Sequence, residues 1–190
     1  MVRATSLAYQ KHPYKWATIG KDIAHIENAV MQDVKDFFNK YYCPANAILC
    51  ISGSFDTLEI KALVEKYYGA IPGGLKPARL LPLEPEQKNF REKSIDRDVP
   101  ADAFYYAFKM SERKNIGYYL GDFMSDAGGK DQSSLLNISL KKEKGLVSEI
   151  NAFITGSHDH GLFLISGKLS DGVDFETLDS ALWEKLNEIK

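Results

Sequence analysis

The stretch Ser133–Leu169, "SSLLNISLKKEKGLVSEINAFITGSHDHGLFLISGKL", decides the fold class. Its first part reads as a helix that Ser133 or Ser134 caps and that closes in the lysine-rich run Lys141–Lys144. Those lysines meet the negative end of the helix dipole and form a solvated helix end. Two apolar runs follow, "LVSEINAFITG" and "GLFLISGKL", and they flank "SHDH" as the arms of a β-hairpin. A helix feeding a hairpin excludes a purely parallel α/β sheet and points to an α+β fold.

The surrounding segments agree. Upstream, "NIGYYLGDFMSD" predicts a helix with Ile116, Leu120, Phe123 and Met124 on one face, ended by Gly128 and Gly129. Before it, "FREKSID" and "DAFYYAFKM" are extended candidates separated by Pro100. Downstream, "DFETLDSALWEKLNEIK" predicts an amphipathic helix with Phe175, Leu178, Leu182, Leu186 and Ile189 inward. That pattern runs to the last residue without a stop signal, an expectation that the natural sequence continues. In the first third, "NAVMQDVKDFFNKYY" predicts a helix capped by Asn28, with Val30, Val34, Phe37, Phe38 and Tyr41 on one face, and Pro44 ends it. "NAILCISGS" reads as a strand ended by Gly53. "DTLEIKALVEKYYG" reads as a helix with a capping-box start at Asp56 and Glu59 and a buried face of Ile60, Leu63, Val64, Tyr67 and Tyr68. The order is α-β-α, a linker rich in proline (Pro72, Pro77, Pro82, Pro85), then β-β-α-α-β-β-α.

The chain has 190 residues, 44% of them hydrophobic, and a formal charge of −2. It is long enough for one large domain or two small ones and can build a core. Its charge does not favour nucleic acid. No apolar run approaches the roughly 20 residues of a membrane-spanning helix. Cys43 and Cys50 read as two packed thiols, without the histidine pair a zinc site needs.

The chemistry-bearing candidates are few. His158 and His160, one residue apart, point the same way if extended and are the weak candidates for a shared metal. With no third ligand in view, a polar hairpin tip is the simpler reading. A small-ligand module anchored on that pair is the least favoured function. His25, before a helix, reads as structural or solvated. His12 opens "HPYKWATIG", in which Pro13 and Gly20 shape a loop that Tyr14, Trp16 and Ile19 pack. The chain holds no G-x-S-x-G, phosphate loop or G-x-G-x-x-G, and no H-x-x-E-H or H-x-x-H pair on a helix. The residues alone describe an α+β protein without a self-contained catalytic centre.

In order and spacing these segments resemble the insulinase/pitrilysin-type zinc peptidases, which include the mitochondrial processing peptidases. "HPYKWATIG", "DVKDFFNKYYCPANAILCISGSFD" and "LVEKYYGAIPGG" follow the family's pattern. His12, Pro13, Tyr14, Ile19, Gly20, Asp33, Val34, Phe37, Tyr42, Pro44, Asn46, Ala47 and Gly53 match it. Ala17 replaces the usual proline. "SSLLNISLKKEKGLVSEINAF" resembles the segment S-S-x-L-x-x-x-L-R-E-x-K-G-L-x-Y that opens the next homologous domain.

The resemblance implies tandem metallohydrolase-like α+β domains closing around a chamber that takes an unfolded peptide. Residues 1–71 are then the end of a first domain, 72–90 a linker, and 91–190 the beginning of a second, non-catalytic one. It further implies that zinc is held in the full-length parent by an upstream inverted H-x-x-E-H motif and a later glutamate, with no catalytic or metal-binding residue in this chain. The family's substrate-contacting Arg and Tyr align with Lys141 and Ser148. Lys141 keeps the charge without the guanidinium fork, and Ser148 lacks the reach of a tyrosine hydroxyl. The expected partners are a peptide or unfolded polypeptide substrate and the remaining domains of the parent or a paired subunit. Incompletely covered apolar surface adds self-association. The alternative is a piece of a catalytically inactive partner or structural subunit of the same family.

Overall fold

The computed structural model describes residues 2–156 and 158–189. Met1, Ser157 in the expected hairpin tip and Lys190 at the end of the last expected helix lie outside them. In chain order the elements are α1 (Val2–Ala8), a 3₁₀ turn (Pro13–Lys15), α2 (Ala24–Glu27), α3 (Met31–Tyr41), a 3₁₀ turn (Pro44–Asn46), α4 (Thr57–Tyr68), β1 (Ala103–Lys109), α5 (Ile116–Gly129), a π-helix (Asn137–Glu143), β2 (Val147–Thr155), β3 (Leu162–Leu169) and α6 (Phe175–Ile189). They fall into two compact units. One combines the chain up to Ala17 with the chain from Leu83 onward, and the other is Thr18–Pro82.

The first unit is built on a three-stranded antiparallel sheet of order β1-β3-β2. The expected hairpin supplies β2 and β3, with Asn151 opposite Ser166 and Ala152 opposite Ile165. β1 lies on the other side of β3, with Tyr106 opposite Ile165. β3 is central, so both of its edges are paired, and both of its faces are covered. Ile165 and Leu169 join Phe104, Ile150, Leu136, Leu140, Leu178 and Leu182 in the main core. On the opposite face Leu162 and Leu164 meet Ala8 and Tyr9. Side-chain alternation along a strand sorts the two sets. A Cβ at Gly167 would run into the Glu149 carbonyl and the Phe104 ring, so glycine allows β2 and β3 to approach there. α6 presents Leu178, Ala181 and Leu182 to the sheet as its period predicts. Its Asp179 accepts from the Tyr106 hydroxyl at 3.0 Å and from the Trp183 indole at 3.1 Å, tying the helix to β1. Phe175, expected inward, is 48% exposed at the first turn.

α5 reverses its expected face. Its buried residues are Gly121, Ser125, Gly128 and Gly129, whereas Ile116, Leu120, Phe123 and Met124 are all exposed. The glycines do not end the helix but form its last turn. A Cβ at Gly129 would collide with the Ala152 backbone, so the small residues let α5 lie directly on β2. Close backbone approach, rather than burial of large side chains, decides this face. The segment expected as a second capped helix is wound as a π-helix, with the Lys144 N–H bonding the Ser139 carbonyl at 3.0 Å.

In the second unit the helices form where periodicity places them, but their apolar faces are exposed. Val34, Phe37 and Phe38 on α3 are 57%, 57% and 56% exposed, and Tyr67 and Tyr68 on α4 are 66% and 55% exposed. Asn28 closes α2 instead of capping α3. α3 starts after Val30, whose N–H donates to Asp33 Oδ2 at 2.9 Å. Asp56 caps α4 as expected, accepting from the Leu58 and Glu59 N–H groups at 2.9 and 3.0 Å. Residues 47–54 and 90–96, both read as extended, are irregular. Among the described residues no strand pairs with either, and an isolated extended segment leaves its backbone groups without a ladder. Cys43 is buried, whereas Cys50 is exposed, unlike the packed thiol expected there.

Candidate functional site

Two sequence features that looked unrelated, the His-Pro-Tyr loop and the His-Asp-His tip, meet in the first unit. His12 is 5% exposed and caps the 3₁₀ turn. Its Nδ1 accepts from the Tyr14 N–H at 3.2 Å, which leaves Nε2–H to donate to Asp159 Oδ2 at 3.1 Å. The Tyr9 hydroxyl donates to the His160 carbonyl at 2.8 Å. Burial, followed by the neighbouring Tyr14, pushes the Tyr9 pKa well above its ordinary value, so this donor keeps its proton. Tyr9, His12 and Tyr14 pack ring against ring, with 4.2 Å between the His12 and Tyr14 centroids. Gly20 takes a left-handed φ of +133°, in line with a loop-shaping role, but Ile19 is 93% exposed and does not pack the loop as expected.

A third segment locks this loop. The Glu84 carboxylate accepts the backbone N–H groups of Gln10, Lys11 and His12 at 2.7, 2.9 and 2.9 Å. Lys109 approaches the same carboxylate at 3.6 Å. Burial opposes the charge on Glu84, but the three N–H donors and Lys109 outweigh it and hold the pKa at about 2. Arg91 donates to the Leu7 and Ala8 carbonyls at 2.9 and 3.3 Å, satisfying the C-terminal end of α1. Sequence reading missed Glu84 and Arg91, and met Asp159 only as the middle of the His-Asp-His tip. Three main-chain donors around one carboxylate carry no residue-type signal, and the partners stand 72 to 74 positions apart.

Both nitrogens of His12 are engaged within the clasp. His160 Nε2 lies 3.4 Å from Glu112 and its side chain is 73% exposed. Among the described residues no three His, Cys, Asp or Glu side chains gather to ligate a cation. His158 stays at the exposed tip, and His25 lies in α2.

Lys141 and Ser148 lie in different surroundings. Lys141, on the π-helix, lines a groove of about 190 Å³ together with Asn137, Lys130, Asp131, Glu149 and Asn151. Ser148 is the extra residue of a β-bulge between Val147 and Glu149. Among the described residues its hydroxyl reaches the Leu169 and Lys168 carbonyls, at 3.4 and 3.5 Å, and it does not line the groove.

An antiparallel sheet with helices packed against both of its faces makes this an α+β domain. The family model for the peptidase M16 inactive domain matches residues 28–190, and the chain belongs to that family. A zinc protease of Helicobacter pylori described as PqqE is 27% identical over 191 residues, covering 99% of this chain and 43% of that protein. The chain therefore spans less than half the length of this relative. The crystal structure of a protease from Helicobacter pylori superposes with a TM-score of 0.83 at 28% identity, over 98% of this chain and 46% of that one. The peptidase M16 inactive domain from Pseudomonas fluorescens gives a TM-score of 0.80 at 19% identity, over 98% and 45% of the two chains. The latter likeness is one of fold.

Proposed function

We propose that this chain is part of a zinc-dependent metalloendopeptidase of the insulinase/pitrilysin type. In this reading it forms chamber wall and peptide-contacting surface and is inactive by itself. The observation that carries it is the match of residues 28–190 to the inactive domain of this family, together with a zinc-protease relative more than twice as long. Zinc and the hydrolytic water belong to another part of the parent, and no step of hydrolysis is assigned to the residues of this chain. Their work is binding. Lys141 offers a cation beside a groove, and Ser148 offers a hydroxyl on the adjoining strand. The exposed apolar faces of α3 and α4 supply surface for the parent's remaining domains, for a paired subunit or for a second copy of the chain.

A second reading has its own support. Lys141 and Ser148 stand where the resemblance implies Arg and Tyr, which favours a catalytically inactive partner or structural subunit of the family. One experiment addresses both readings. The purified chain is offered an unfolded polypeptide, and binding and cleavage are followed with and without added zinc. Binding without cleavage is expected; turnover that a chelator abolishes would overturn the assignment of catalysis to another part of the parent. The same assay on the complete parent separates the two readings. Activity there supports the peptidase, whereas activity only after an active family member is added supports the partner.

A further inference from the structure

We infer that residues 47–53 form an inner strand of a multi-stranded sheet whose other strands come from the rest of the parent protein. The inference rests on the proposal that this chain is part of a longer protein, and it names where the remainder joins.

The segment "AILCISG", residues 47–53, holds no charged residue and no proline. Its backbone is already extended at Ala47, with φ −112° and ψ 152°. Among the described residues no backbone hydrogen bond reaches the N–H or C=O groups of residues 48–53. The side chains alternate. Leu49 and Ile51 line a groove of about 800 Å³ together with Phe55 and with Ile60 and Val64 of α4. Ile48 and Cys50 lie outside that groove, and Ile48 is 97% exposed. Both faces of the segment are therefore apolar, which is the pattern of a strand covered on both sides. A strand at the rim of a sheet is commonly blunted by a charge or a proline, and this one has neither. Its two edges call for partners as well as its two faces.

α4 alone does not meet that need. A helix is about 10 Å wide and strands lie about 4.8 Å apart, so one helix spans roughly two strands. The groove beside Leu49 and Ile51 is the place of the second strand. An extended peptide adds one strand at one edge and leaves the Ile48 face bare. A second copy of this chain brings the same single segment across a two-fold axis and fills one edge. Two or more further strands serve both edges, and their own packing layer covers the Ile48 face. The rest of the parent has the length for them, because more than half of the Helicobacter pylori zinc protease lies outside the region this chain matches.

The test is amide hydrogen exchange on this whole chain and on the complete parent. In the chain alone, the amides of residues 48–52 should exchange at the rate of unstructured backbone, while those of Leu164 and Ile165 in β3 stay protected. In the parent, protection of 48–52 should rise about a hundredfold or more, because ladder amides open only with their sheet. Protection already present in the chain alone overturns the inference, and its growth with concentration would name a second copy as the occupant. Protection that appears when an unfolded polypeptide is added to the chain alone overturns it in favour of a peptide. Fast exchange in the parent overturns it too, while peptide cleavage by that same parent leaves the peptidase reading intact. Ile48→Asp gives a second readout. It should lower the unfolding midpoint of the parent and leave that of the chain alone unchanged. A parent indifferent to Ile48→Asp has an uncovered outer face, and that result also overturns the inference.

Discussion

The two units of this chain contain the same kind of helix and treat it differently. α6 in the first unit and α3 in the second are both amphipathic, each with apolar residues at helical spacing. Leu178 and Leu182 of α6 are fully buried against the sheet, whereas Phe37 and Phe38 of α3 are more than half exposed. The difference lies outside the helices. The first unit has a paired hairpin with a free apolar face to cover, and in the second no strand is present among the described residues. Periodicity locates an apolar face; whether that face contributes stability depends on what lies against it.

Truncation should expose this contrast most strongly. Leu182→Ala removes a fully buried side chain and should cost about 2–5 kcal/mol in urea unfolding. A loss below about 1 kcal/mol would mean that the α6 packing is not a rigid core. Glu84→Gln should come next, at about 1.5–3 kcal/mol, because charge-assisted bonds to three N–H groups become weaker neutral ones. Its pH dependence is specific. The folded Glu84 pKa of about 2 lies below the ordinary glutamate value. The carboxylate therefore stabilises fully above about pH 4.3, and the benefit fades as pH falls toward about 2. Unfolding midpoints followed down to acid should decline in the native chain and decline less in Glu84→Gln. Equal acid profiles would show that the Glu84 clamp is absent in solution.

Tyr9→Phe should cost about 1 kcal/mol by deleting the bond to the His160 carbonyl while keeping the ring contacts. At the bottom of the scale, Phe37→Ala should change stability by less than about 0.5 kcal/mol, as exposed substitutions do. Its effect should appear instead in self-association, with a lower apparent mass in concentration-dependent sedimentation. A loss of stability comparable with that of Leu182→Ala would erase the contrast between the units.

Much of the first unit was legible in advance. The hairpin, β1 and the inward residues Leu178 and Leu182 follow from alternation and helical period. α5 was misread because periodicity ranks large apolar side chains as inward, while the packing there selects the residues that let two backbones approach, at Gly128 and Gly129. The strands expected around residues 47–54 and 90–96 failed for a related reason. A strand is a property of two segments, and composition describes only one. Of the candidate site, Lys141 was visible through motif alignment. Asn137 was not, because its bonds to the Ser134 hydroxyl and to the Ile150 carbonyl, 13 positions away, form only in the fold.

The sequence by itself determined the family through the order and spacing of its motifs, the places of α3, α4, α5 and α6, and the absence from its 190 residues of an H-x-x-E-H motif. These are local properties, set by neighbours within a turn or two or by residue identity alone. Only the tertiary structure decided that His12 belongs to a clasp with Asp159 and Glu84 and that α5 turns its glycines inward. Each depends on groups brought together across the fold, and a hydrogen bond or a close backbone contact is decided by distances of a few tenths of an ångström that no pattern of residue types encodes.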